Sequence, residues 1–122
     1  MYKYSFEKLD VWQKSKSFSV LIYKITKDFP SDEKFGITNQ LRRASVSIAS
    51  NIAEGISRIS YKEQARFSEI AFGSLMEVLN QIIISKELGY LEVEDYEKTR
   101  MDVDEISNKL NALKKAQISR IK

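Results

Sequence analysis

Apolar side chains recur along this chain at intervals of three, four and seven residues, the spacing that places them on one face of an α-helix. Breaks that contain Pro30, Gly55 or Gly89 separate four such segments. The pattern predicts helices at about 9–29, 39–54, 60–88 and from about 92 onward, with Thr38 placed to cap the second helix. The 122 residues are therefore predicted to form one all-α domain that spans 1–122.

The second predicted helix has three different faces. Its core face holds the residues that share one arc at about 100° per residue, namely Leu41, Ala44, Ser45, Ile48 and Ile52. Ala49 and Ala53 lie on a face of small side chains, which allows a neighbouring helix to come close. Ser47 and Ser50 lie on a third, polar face. A helix contacted on more than one side is typical of the centre of a helical bundle.

The third predicted helix is the longest and carries two apolar stripes. The first stripe consists of Phe67, Ala71, Ser74, Leu75, Val78 and Ile82. The second stripe consists of Phe72, Met76, Leu79 and Ile83. Because the two stripes together are wider than one bundle seam needs, we predict that the second lies at an interface between subunits. The alternative is that both stripes are buried within one subunit.

Composition narrows the classes of function. Apolar residues make up 43% of the chain and there are only one Pro and four Gly, which favours helices over disorder or β structure. The absence of Cys and His excludes a thiol nucleophile, a Cys or His zinc site and an imidazole base. The isolated glycines form no phosphate-binding loop. We therefore expect no enzyme activity, no cofactor and no metal.

The sequence also has no uninterrupted apolar run long enough for a signal peptide or a membrane span. We expect a bacterial protein of the cytoplasm with no membrane partner.

Charge permits a nucleic-acid partner without demanding one, since 20 Lys and Arg face 17 Asp and Glu for a net charge of +3. Basic residues surround the junction of the second and third helices, and the candidates for phosphate contact are Arg42, Arg43, Arg58, Lys62 and Arg66. Tyr61 lies among them and is available to stack on a base. A secondary patch near the C-terminus consists of Lys114, Lys115 and Arg120. The alternative for each is an ordinary solvated charge.

A structural motif is predicted where the second helix ends. Asn51 is expected to hydrogen-bond across to the first or third helix. Glu54 is expected to pair with a base, either Arg58 at i, i+4 or Arg43 of a neighbouring subunit. Gly55 is expected to end the helix.

Short motifs spread over about 6–113 carry a resemblance to a known family. They are Phe6-Glu-Lys-Leu9-Asp-Val-Trp12, Ile22-Tyr23, Phe29-Pro30, Glu33, Phe35-Gly36-Ile-Thr38, Gln40-Leu-Arg42-Arg43-Ala44, Ser47 to Gly55, Ile70 to Glu77 and Leu88-Gly89-Tyr90. In this combination the chain resembles the four-helix-bundle family that includes the proteins encoded by intervening sequences in bacterial 23S rRNA.

The resemblance implies an up-and-down antiparallel four-helix bundle without catalytic activity, assembled as a ring-like homo-oligomer, with a pentamer as the expected count. The chain is also similar to the accessory proteins of diversity-generating retroelements, which implies RNA and a reverse-transcriptase-like protein as partners. We expect a small RNA- or nucleic-acid-binding homo-oligomer. The alternative is a protein–protein adaptor or scaffold with no nucleic-acid role.

Overall fold

Four helices separated by short connections make up the chain, and the computed structural model describes all residues 1–122. The helices are α1 (Asp10–Ile25), α2 (Ile37–Ile56), α3 (Tyr61–Glu87) and α4 (Val93–Ser119). Helix α2 packs against α1 and α3, while α4 packs against α3 and α1. Short connections reverse the direction of the chain after each helix. The fold is thus the predicted up-and-down antiparallel four-helix bundle.

The core of the bundle lies where the predicted face of α2 meets its neighbours. Leu41, Ile48 and Ile52 are essentially inaccessible to solvent, and Ala44 and Ser45 are also buried, which confirms the face read from the sequence. The Ser45 hydroxyl makes a hydrogen bond of 3.2 Å with the Ser19 hydroxyl of α1. The polar position on this face is therefore satisfied by pairing with the neighbouring helix.

The connection between α1 and α2 differs from the prediction. Helix α1 ends at Ile25 and a 3-10 turn covers Thr26–Asp28, so the helix does not reach Phe29. Phe29 is extended because the ring of Pro30 disfavours helical geometry in the residue before it. Helix α2 then begins at Ile37, and the residue at its N-cap is Gly36 rather than the predicted Thr38.

Gly55 and Gly89 serve different purposes. Gly89 follows α3 with φ of +80°, the left-handed conformation that glycine adopts at helix ends, as its position predicted. Gly55 does not end α2, which continues to Ile56. A Cβ atom on Gly55 would lie 2.7 Å from the Cβ of Phe67, so glycine is needed there for the close approach of α3.

Helix α3 begins with a capped turn and buries most of both apolar stripes inside its own bundle. The Ser60 hydroxyl accepts a hydrogen bond of 3.1 Å from the Glu63 amide. In the second stripe, Phe72, Met76 and Leu79 are half-buried against the core of the same chain. Only Ile83 counts as exposed, at 38%. One bundle therefore covers part of the surface of three of the four residues, and the placement of this stripe at a subunit interface stays a prediction.

Helix α3 is also long and apolar enough, by length and composition alone, to cross a membrane. The mean hydropathy of its most apolar window is 1.3, and 39% of that window is buried in the bundle. The expectation of no such segment rested on uninterrupted apolar runs, whereas the window averages over polar residues such as Ser74 and Asn80. A core helix of a folded domain passes the same test, so the finding is weak evidence for a membrane segment.

Candidate nucleic-acid interface

The antiparallel fold brings the start of α3 and the end of α4 to the same end of the bundle. Basic side chains from the α2–α3 turn and from both helices gather there, and we call this region the basic end. Its members are Arg58, Lys62, Arg66, Lys114 and Arg120. The two patches that the sequence predicted separately therefore converge, with the exceptions described below.

A groove between α3 and α4 forms the middle of the basic end. Lys62, Arg66 and Lys114 line it, and its volume is about 300 Å³. Ile118 and Ile121 contribute apolar surface to the same groove. Glu63 and Glu69 also line it, so the surface is mixed in charge, with a basic excess.

The ring of Phe67 supports two of the guanidinium groups. The Cζ atom of Arg58 lies 4.6 Å from the ring centroid and that of Arg66 lies 4.9 Å from it. Arg66 also donates to both carboxylate oxygens of Glu63, at 2.9 and 3.3 Å. These hydrogen bonds from Arg66, and then the charges of Arg58 and Lys62, hold the pKa of the Glu63 carboxyl below its usual range. Arg58, Lys62 and Arg66 therefore all lie close to the Glu63 carboxyl.

Exposed tyrosines border the basic end. The Arg120 guanidinium lies 5.7 Å from the ring centroid of Tyr61, which is itself exposed. Sequence reasoning missed Tyr2 and Tyr4, whose exposed rings meet edge to face at 4.9 Å. Tyr4 lines a pocket with Ser57, the residue next to Arg58. The only signal in the sequence was the aromatic character of the first residues. It did not indicate where these residues lie relative to the helices.

Arg42 does not belong to this surface. Its Nε donates to the Thr26 hydroxyl at 2.9 Å and its Nη2 to the Tyr23 carbonyl at 3.4 Å. Its guanidinium also lies 4.8 Å from the centroid of the Tyr23 ring. These contacts hold the half-buried side chain against the end of α1, at the opposite end of the bundle. The sequence grouped Arg42 with Arg58, but the two residues lie at opposite ends of the bundle, because most of the length of α2 is between them.

Arg43 and Lys115 are exposed but stand apart from the groove. Arg43 lies roughly 20 Å along α2 from the helix end at Ile56, at 1.5 Å per residue. Lys115 follows Lys114 in α4 but does not line the groove. Neither residue forms an ion pair within the chain.

The Asn51 side chain reaches α3 only through an intermediate. Its Nδ2 donates to the Ser47 carbonyl at 2.8 Å and to the Ser47 hydroxyl at 3.0 Å. The Ser47 hydroxyl in turn makes a hydrogen bond of 2.9 Å with the Ser74 hydroxyl of α3. The predicted direct bond from Asn51 to another helix is therefore replaced by a relay through Ser47.

The predicted pair between Glu54 and Arg58 within one chain is absent. Helix α2 ends at Ile56, so the i, i+4 geometry that would bring the two side chains together does not extend to Arg58. Arg58 instead stacks on Phe67, and Glu54 is exposed.

An antiparallel bundle of four helices with a group of cations at the end formed by the α2–α3 turn and the end of α4 defines a small helical-bundle protein. The chain belongs to the family of 23S rRNA-intervening sequence proteins, whose model matches residues 7–112. A similar solved structure is a protein of unknown function from the S23 ribosomal protein family of Bacteroides thetaiotaomicron, with 27% identity and a TM-score of 0.77. The similarity covers 86% of this chain and 98% of that one. No curated protein matches the chain.

Proposed function

We propose that this protein is a non-enzymatic, cytoplasmic RNA- or nucleic-acid-binding protein that contacts phosphates through the basic end. The observation that carries the proposal is the convergence of Lys62, Arg66 and Lys114 on one groove. Lysine and arginine side chains neutralise phosphates, and guanidinium groups bind them in a bidentate manner. The exposed rings of Tyr4 and Tyr61 at the margin offer surfaces on which unpaired bases stack.

We also propose that the protein acts as a ring-like homo-oligomer, with a pentamer as the expected count. Support comes from the outer face of α3, where Ile70 and Ile84 are exposed. Gly73 lies on the same face, and a Cβ built on it would meet no neighbouring atom within 4 Å. Glycine inside a helix costs about 1 kcal/mol relative to alanine, and this chain supplies no packing reason for that cost. A ring would repeat the basic end in each subunit and raise the avidity for a long RNA.

A protein–protein adaptor with no nucleic-acid role is the second candidate, with a reverse-transcriptase-like protein as one proposed partner. The observation that favours it is a groove of about 380 Å³ between α1 and α2. Trp12, Val20, Val46 and Ala49 give this groove a mostly apolar lining. Exposed apolar surface of this kind is typical of contacts between proteins.

Fluorescence anisotropy with a labelled structured RNA, measured as a function of salt, tests the first candidate. Lys62→Ala combined with Lys114→Ala removes two cations from the basic end. The matched control is Lys24→Ala combined with Lys86→Ala, which removes the same charge from exposed positions at the opposite end. The basic-end variant should weaken binding and reduce the salt slope by about two, because each lost phosphate contact lowers it by about one.

Equal losses in the two double variants would mean that binding follows net charge and does not use the basic end. No binding by the wild-type protein at low salt would remove the RNA proposal and promote the adaptor.

A further inference from the structure

A second cationic pocket lies at the opposite end of the bundle, beside the turn between α1 and α2. It has a volume of about 240 Å³. We call it the Pro30 pocket, and its polar lining consists of Thr26, Lys27, Ser31, Lys34, Thr38 and Arg42. Three of these side chains are cationic, three carry hydroxyl groups, and no carboxylate lines the pocket. We infer that the Pro30 pocket binds a phosphate-type oxyanion.

Arg42 supplies the strongest part of the argument. Its side chain is half-buried and has no carboxylate partner, so the charge is free to pair with an anion. Bonds to Thr26 and to the Tyr23 carbonyl fix the orientation of the group. They leave Nη1 without a hydrogen bond in the chain. A fixed guanidinium with free donors is suited to an oxyanion, because no ordering is needed when the ligand arrives.

Thr38 gives an independent indication. The residue is only 6% exposed, and its buried hydroxyl has no hydrogen-bond partner. The neighbouring Thr26 hydroxyl, by contrast, donates to the Ile22 carbonyl at 2.7 Å and accepts from Arg42. An unpaired buried hydroxyl is destabilising, and because Thr38 lines this cationic pocket, rotation of its side chain toward a bound oxyanion would supply the missing acceptor.

The two lysines complete the pocket, and neither is paired with a carboxylate. Lys27 and Lys34 form no ion pair, and the Nζ of Lys34 lies 5.6 Å from the ring centroid of Phe35. The nearby carboxylate of Glu33 does not line the pocket and accepts a hydrogen bond of 2.9 Å from the Tyr90 hydroxyl. The charged residues that line the pocket are therefore all cationic, although Asp28, Asp32 and Glu33 are close in sequence.

This inference does not depend on RNA binding at the basic end, which lies about 30 Å away along α2 at 1.5 Å per residue. Two sources share the required chemistry. One is free phosphate or a nucleoside monophosphate, and the other is the terminal 5′-phosphate of an RNA.

Isothermal titration calorimetry on the full chain with inorganic phosphate and with adenosine monophosphate tests the site. Lys27→Ala and Lys34→Ala should each weaken binding about tenfold, the effect expected from the loss of one charge-assisted hydrogen bond. Lys24→Ala is the matched control, since Lys24 is exposed one turn earlier and does not line the pocket. It should leave the affinity unchanged.

Thr38→Val is a second variant, and its expected effects differ from those of a residue with a purely structural role. It should weaken phosphate binding while leaving the unliganded protein as stable as the wild type or more stable, because an unpaired buried hydroxyl is removed. Loss of stability together with unchanged phosphate affinity would assign Thr38 to the fold and count against the site.

A hexanucleotide with a 5′-phosphate, compared with the same RNA carrying a 5′-hydroxyl, distinguishes the sources. Tighter binding of the phosphorylated RNA that disappears in Lys27→Ala identifies an RNA terminus as the ligand. Equal binding of the two RNAs, with saturable binding of phosphate or adenosine monophosphate, identifies a small molecule. No saturable binding of any phosphate ligand, or an equal loss in Lys24→Ala, would overturn the inference.

Discussion

Ser68 of α3 donates its hydroxyl hydrogen to Oε1 of Gln117 of α4 at 2.7 Å, and both residues are buried. This bond joins positions 49 residues apart in the sequence. It ties the first half of α3 to the last turns of α4, which contain Lys114 and lead directly to Arg120. The register of the two helices at the basic end is therefore fixed by a buried polar contact.

Ser68→Ala should lower the free energy of unfolding by about 1–3 kcal/mol, because it leaves the buried Gln117 carbonyl oxygen without its donor. Urea denaturation measures the change. Ser68→Ala combined with Gln117→Leu removes both partners and should cost less than the sum of the two single changes. Strict additivity would show that the two side chains are not coupled.

Asp102 of α4 links two lysines and should be important for stability. Its Oδ1 lies 3.0 Å from the Nζ of Lys14 in α1 and 2.7 Å from the Nζ of Lys98. The Asp102 side chain is only 7% exposed, so solvent screens these contacts weakly. Asp102→Asn should lower the free energy of unfolding by about 1.5–3 kcal/mol, the range for hydrogen bonds to charged groups. Asp104→Asn, at an exposed position in the same helix, is the control and should change little.

The Lys14 contact also predicts a dependence on pH. The hydrogen bond that the Lys14 ammonium donates to Asp102 raises the pKa of Lys14 above its ordinary value of 10.5, against the opposing effect of burial. A raised folded-state pKa contributes stability that is fully present below the unfolded value and is lost as pH rises through the folded value. The difference in unfolding free energy between wild type and Asp102→Asn should therefore be constant near neutral pH and shrink above about pH 10.5. A difference that grows in that range would contradict the assignment.

Gly55 and Gly73 form a natural pair for substitution by alanine. Gly55→Ala should cost about 1–3 kcal/mol, because the new Cβ overlaps the Phe67 side chain. Gly73→Ala meets open space within the chain, so an isolated subunit should gain up to about 1 kcal/mol from helix propensity. Thermal denaturation of the two variants measures both effects. Equal destabilisation by the two changes would show that the environment of Gly73 is occupied in the protein in solution.

Light scattering tests the assembly, which we expect to have a mass several times the 14.1 kDa of one chain. Ile70→Glu combined with Ile84→Glu should reduce the mass to that of one chain, because charges would be buried at the proposed interface. Met101→Glu changes another exposed apolar residue, on α4, and should leave the assembly intact. A wild-type protein that stays monomeric at high concentration would rule out the ring.

Periodicity predicted the parts of the fold that depend on one helix at a time. The core face of α2 follows from the spacing of Leu41, Ile48 and Ile52 alone, and Gly89 follows from the chemistry of helix ends. Whether the second stripe of α3 faces its own bundle or another subunit depends on packing between helices, which no single-helix pattern contains.

The candidate site was harder to predict for the same reason. Arg42 and Arg43 are adjacent in sequence, yet Arg42 is held against Tyr23 of α1 and Arg43 is exposed. Lys62 and Lys114 are far apart in sequence and line one groove. Packing between helices decides which cations share a surface. The sequence shows only their order along the chain.

The position of Phe67 has a mechanical consequence. Its Cβ lies under the glycine at the end of α2, and its ring carries the guanidinium groups of Arg58 and Arg66. A ligand that binds either guanidinium would restrain the Phe67 side chain and, through it, the contact between α2 and α3. Binding at the basic end should therefore slow hydrogen exchange at amides near Gly55. Lys62 and Lys114 do not rest on this ring, and a ligand held by those two side chains alone would leave the α2–α3 crossing as free to open as before.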